Sequence, residues 1–127
     1  MDYATGRLDH IEDILVRLHS GQWFGWADSK NKIYENLILT EKMGVGGELV
    51  DNPHSLPTEK SLTDSLAQAQ SDFDAQEYAR NRLADYPSTG DQLDMMYKDN
   101  LNSTTTHKDA VETVKTKWPK DNSGPVE

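Results

Sequence analysis

Leucine and isoleucine recur every three or four positions near the start of the chain. Leu8, Ile11, Leu15 and Leu18 fall on one helical face, and Ile14 broadens it. The spacing predicts a helix over residues 5–19, with Thr5 able to cap its start and Ser20-Gly21 supplying a stop. A helix of that length is marginal alone in water and needs something to pack against. Gln22-Trp23-Phe24-Gly25-Trp26 follows, with three aromatics in four residues. Such density suits a local core or an interface anchor. A platform for sugar rings is the weaker reading, because no cluster of amides and carboxylates accompanies it.

The period then changes. Residues 32–40 are rich in β-branched and aromatic residues and read as a strand, with Gly44, Gly46 and Gly47 as turn material and a second strand near residues 48–50 closing a hairpin. Gly-Val-Gly-Gly is a turn and not a phosphate loop, since no Lys-Ser/Thr follows it. Residues 51–57, with two prolines, read as a linker. Thr58 then caps the longest helical pattern, which runs to about residue 85. Within it Leu62, Leu66, Ala69, Phe73, Gln76, Arg80 and Leu83 alternate steps of four and three, a heptad seam with polar positions at Gln76 and Arg80. Either that seam meets another helix, or Tyr78 and Ala79 shift the buried face locally.

Tyr86-Pro87 breaks the pattern. Ser88 to Asp91 has the form of a capping box, opening a short helix with Leu93, Met96 and Tyr97. Thr106 to Asp109 has the same form, opening a last helix with Ala110, Val111, Val114 and Trp118. Pro119 ends it, and the tail over residues 120–127 is expected to be disordered. The fold expected is mainly α: an N-terminal helix, a small β-hairpin and a long coiled-coil-like helix followed by two short helices. Four segments follow from this: a helix and aromatic docking segment (1–29), the hairpin and linker (30–57), a helical module (58–119) and the tail (120–127).

Composition narrows the choices. Leu, Ile, Val and Phe supply 24 of 127 residues and the formal net charge is −9. Chains of that kind lie at the border where apolar burial no longer offsets conformational entropy. Order that depends on oligomerisation or docking is therefore expected. No cysteine is present, so disulfides and thiolate metal sites are excluded. No apolar run approaches the roughly 18 residues of a membrane span, and residues 1–3 open with an acid instead of the basic-then-apolar pattern of a signal peptide. A soluble protein made in a cytoplasm is expected, with no membrane partner. The acid excess lies in residues 1–97, so nucleic acid is not an expected partner either.

Chemistry is hard to find. His10, His19, His54 and His107 lie in four different segments, none at the spacing that puts two ligands on one helix face. Asp91, Asp94 and Asp99 flank the short helix without calcium-loop spacing, and no nucleophile elbow occurs. No catalytic residue, metal ligand or cofactor is expected, and the chain is not read as an enzyme.

Residues 76–98 carry a resemblance. Their centre, Tyr86-Pro87-Ser88-Thr89-Gly90-Asp91-Gln92-Leu93-Asp94-Met95-Met96-Tyr97, resembles a module common in tailed bacteriophages, found in short proteins encoded near tail-fibre genes and at the ends of some tail-fibre chains. Val114-Lys115-Thr116-Lys117-Trp118-Pro119-Lys120 is similar to the continuation of that pattern. So are Lys32-Ile33-Tyr34-Glu35-Asn36-Leu37 and Leu56-Pro57-Thr58-Glu59 upstream, so that the likeness covers about residues 30–120. It carries no established catalytic residues. It implies a structural or adaptor protein of the virion, at the tail, neck or fibre attachment region, whose partners are other phage structural proteins. A homo-oligomer is expected, with Leu8, Ile11, Leu15, Leu18, Trp23, Phe24, Trp26, Leu62, Leu66 and Phe73 at the interface. A tail-fibre assembly chaperone left out of the particle is the second expectation, and an acidic inhibitor of a host enzyme the third. In the motif itself, every position has a capping or packing role: the helices on either side of Pro87 fold back, and Leu93, Met96 and Tyr97 meet Val111, Val114 and Trp118.

Overall fold

The computed structural model describes residues 1–127. It is mainly α, with two small antiparallel strand pairs, and it divides into two compact units, Met1–Ser71 and Asp72–Glu127. No helix is long and apolar enough to cross a membrane.

In the first unit, α1 (Ile11–Leu18) begins later than its apolar period suggests. Thr5 does not cap it; His10 does, its Nδ1 accepting from the Glu12 amide at 2.9 Å. The Asp13 carboxylate accepts from the His10 amide at 3.1 Å, closing a capping box. Since Nδ1 accepts, the ring proton sits on Nε2 and is donated to the Lys32 carbonyl at 2.8 Å. That bond ties the helix start to a residue 22 positions away.

Strand pairing differs from the sequence expectation. β1 (Phe24–Trp26) is the aromatic segment itself, and it pairs antiparallel with β2 (Leu37–Leu39), register Gly25 to Ile38. The hairpin is formed instead by β3 (Lys42–Val45) and β4 (Glu48–Asp51), turning at Gly46 and Gly47. Both glycines have positive φ, +60° and +85°, where a side chain would be strained. Period-2 patterning marks strands, yet it does not say which pairs with which. Here Asn52 settles the matter: its side-chain amide donates to the carbonyls of Trp23 and Thr40, both at 2.7 Å, linking the two strand pairs.

The core of this unit is Leu8, Ile14, Leu15, Trp23, Leu37 and Leu62, with Ile11, Phe24, Trp26, Leu66 and Ala69 packed against it. Leu62 arrives on α2 (Glu59–Ala75), which Thr58 caps as expected, its Oγ1 accepting from the Ser61 amide at 3.1 Å.

The pattern over residues 58–85 does not form one long helix. α2 ends at Ala75, and α3 (Glu77–Asp85) restarts after Gln76, whose φ and ψ of −94° and 11° are not helical. A break in a helix frees backbone groups that must find partners. They find them within the second unit. The Arg80 guanidinium donates to the Phe73 carbonyl at 2.7 Å. Asn122 donates to the Asp74 and Ala75 carbonyls at 3.4 Å each and accepts from the Tyr78 amide at 2.8 Å. The expected disordered tail is thus a fastened one, and Val126 returns a further bond to the Lys117 carbonyl at 2.8 Å.

α4 (Thr89–Asn102) and α5 (Thr106–Lys117) complete the second unit. Ser88 caps α4 as its sequence predicts, accepting from the Asp91 amide at 3.1 Å. α4 runs to Asn102 and closes on Ser103 in the left-handed conformation, φ 55°.

Candidate interaction surface

The residues expected at an interface divide by burial. Leu8, Leu15, Trp23 and Leu62 are fully enclosed by their own unit, so the expected anchor Trp23 has no surface left for a partner. It sits inside a chain of edge-to-face rings: His10 against Trp26 at 5.9 Å between centroids, Trp26 against Phe24 at 6.2 Å, Phe24 against Trp23 at 5.1 Å, and Trp23 against His19 at 4.9 Å. Ile11, Phe24, Trp26, Leu66 and Phe73 are half-buried. Trp26 is held further, donating from Nε1 to Glu12 at 2.8 Å. The heptad seam is likewise spent inside the molecule: Leu62, Leu66 and Ala69 serve the first core, while Arg80 lays its guanidinium 3.7 Å above the Phe73 ring. Among the expected anchors only Leu18 is substantially open, at 47 %.

A different apolar surface is open. The expectation that Leu93, Met96 and Tyr97 face inward is reversed. α4 turns Gln92, Met95 and Asp99 toward its unit and leaves Leu93, Met96, Tyr97 and Leu101 between 51 and 68 % exposed.

Hydrogen bonds fix that rotation. Asp99 is clasped at the start of α5, where its carboxylate accepts from the Thr106 amide at 2.9 Å and the His107 amide at 2.8 Å. The Thr104 and Thr106 hydroxyls donate to it at 2.6 Å each. These contacts, the Thr104 hydroxyl foremost, hold the Asp99 carboxyl far below the usual carboxylate range. The charge also faces the positive end of the α5 dipole. Two helix turns away Gln92 donates to the Pro87 carbonyl at 2.8 Å and meets His107 Nε2 at 3.0 Å. With Gln92 and Asp99 pinned inward beside Met95, Leu93, Met96 and Tyr97 between them and Leu101 beyond point to solvent. The sequence hint was the polar pair Gln92 and Asp99 at a spacing of seven, which puts both on one helix face.

The corner of α3 and α5 is fastened in a similar way. Trp118 donates from Nε1 to Asp85 at 2.6 Å, and Lys117 pairs with the same carboxylate at 3.1 Å, which lowers its pKa through the Trp118 bond first and Lys117 second. Arg82 donates to the carbonyls of Trp118 at 2.8 Å and Lys115 at 3.3 Å, satisfying the end of α5. A cleft of about 320 Å³ beside them is lined by Tyr78, Asn81, Trp118 and Pro119 and closed by Asn122 and Pro125 of the tail.

The histidines, scattered in sequence, are partly gathered. His19 and His54 stack face to face with centroids 3.6 Å apart, beside Trp23. Burial, and secondarily the neighbouring His19, lowers the pKa of His54. No group of three or more His, Asp or Glu side chains is placed to hold a metal ion. No protein-family model, no curated protein and no solved structure matches this chain.

Proposed function

We propose that this chain is a non-enzymatic structural or adaptor protein of a bacteriophage particle, at the tail, neck or fibre attachment region, acting by docking onto other chains. The observation that carries the docking role is the uncovered stripe of Leu93, Met96, Tyr97 and Leu101 on α4, more than half exposed at every position. Contiguous apolar surface of that kind is uncommon on proteins that act alone. The phage assignment rests on the resemblance of residues 76–98, the segment that carries Leu93, Met96 and Tyr97 of the stripe. Contact with neighbours then falls chiefly to α4, with Leu18 and the half-open Phe24, Trp26 and Leu66 as secondary surface. The finer reading of residues 62–83 as a seam between copies would need α2 to turn its Leu62 face out of the core, at the cost of burying a leucine side chain.

Peptide mass spectrometry of washed phage particles tests the assignment. A fixed ratio of this chain to the major tail proteins is the expected result. Abundance in the infected lysate with absence from particles would defeat the virion role and favour the assembly chaperone, which docks by the same surface but leaves before maturation.

A further inference from the structure

We propose that the α4 stripe seats a second copy of this chain, packed antiparallel about a two-fold axis through Tyr97. The inference stands apart from the phage assignment and is tested without it. Its first support is spacing. Leu93 and Leu101 lie four residues to either side of Tyr97, so these three positions read the same in both directions, while Met96 is matched with Lys98. A two-fold contact requires a self-complementary patch. Turning one α4 against another brings Leu93 onto Leu101 of the second copy, while the two Tyr97 rings meet at the axis, where aromatic pairs add to plain area burial.

Charge points the same way. The stripe, with Asn100 inside it, carries no charged side chain, although the chain as a whole is strongly acidic. The nearby carboxylates are committed elsewhere: Asp99 to the start of α5, Asp94 to Lys98 at 2.9 Å. A partner selected by basic residues finds no row of acids along this face. Two like-charged copies meet here where repulsion is least, and antiparallel helices set their dipoles head to tail. Four side chains on about two turns form a smaller patch than the roughly 800 Å² per partner of a standard stable interface. The pair is accordingly weak, with a dissociation constant on the order of micromolar.

Sedimentation equilibrium of the full chain, over a concentration series, reads the first part. A monomer–dimer equilibrium is expected, and Tyr97→Lys or Leu101→Lys weakens it at least tenfold while the helical circular dichroism is unchanged, because both side chains are exposed. The absence of cysteine permits a geometric test. Tyr97→Cys cross-links with itself under mild oxidation. Leu93→Cys does not, since its two copies lie about 12 Å apart along the axis, beyond disulfide reach. Mixed with Leu101→Cys, it does. A chain monomeric throughout the series overturns the proposal. So does Leu93→Cys pairing with itself as fast as Tyr97→Cys, which would mean a parallel or unrelated contact.

Discussion

Residues 1–71 and 72–127 are unequally supplied with apolar side chains, Leu, Ile, Val and Phe numbering 17 in the first and 7 in the second, and the two units are held together differently. The first unit gathers six buried apolar residues, Trp23 among them. The second has one, Val114. In its place it uses polar side chains that close the ends of helices: Ser88 on α4, Asp99 on α5, Arg82 at the end of α5 and Asn122 across the break at Gln76. Hydrogen bonds of this kind add only about 1 kcal/mol each, whereas a fully buried large side chain contributes several. The second unit therefore achieves a defined shape with little core, and its apolar residues are left on the outside. That difference is why the exposed apolar stripe lies on the second unit, while Trp23 of the first is enclosed in a core.

Trp23→Ala should separate the units most sharply. Removing a completely buried indole costs about 3–5 kcal/mol, enough to unfold the first unit while the second keeps its Trp118 signal. Denaturant titration followed by residue-resolved NMR checks this, and a single melt shared by both units would break the comparison.

Acid should reach the two units in different ranges. His54 has a depressed pKa in the folded state, so below the ordinary histidine value of 6.5 the unfolded chain takes up the proton first and the first unit loses stability as pH falls. In the second unit Asp85, Asp99 and Asp121 are depressed from 3.8. Their contribution is complete above that value and is lost only as pH falls below it. Thermal melts monitored per unit between pH 7 and 3 should show the first weakening from below pH 6.5 and the second holding to about pH 4. Equal loss in both at pH 5.5 would contradict the assignment. Asp99→Asn should reduce the acid dependence of the second unit, leaving the part due to Asp85 and Asp121, and fray the first turn of α5, read as amide exchange at Thr106 and His107.

Asn122→Ala should cost about 1 kcal/mol, with faster exchange at the Tyr78 amide and little change in the first unit. Smallest of all, Leu83→Lys should alter stability by no more than about 0.5 kcal/mol, since Leu83 is 76 % exposed. A larger loss would show that the outer face of α3 is covered after all.

The sequence by itself determined the start of α2 and α4 and the end of α5, though not the start of α1. Thr58, Ser88 and Pro119 act on backbone groups within a few positions, so their effect is written locally. Periodicity also put Leu8, Ile14, Leu15 and Leu62 on apolar faces that need burial, but it assigned Leu8, Leu15 and Leu62 to a contact between copies, whereas the first unit's own core encloses them. Only the tertiary structure decided the strand partners, the break at Gln76 and the rotation of α4. Each depends on a hydrogen bond between distant residues: Asn52 to Trp23, Asn122 to Tyr78, Gln92 to His107. Where apolar residues are sparse, the periodic signal is weak and such bonds outweigh it. On α4 they hold a half-buried glutamine and aspartate against the unit and leave two leucines, a methionine and a tyrosine turned to solvent.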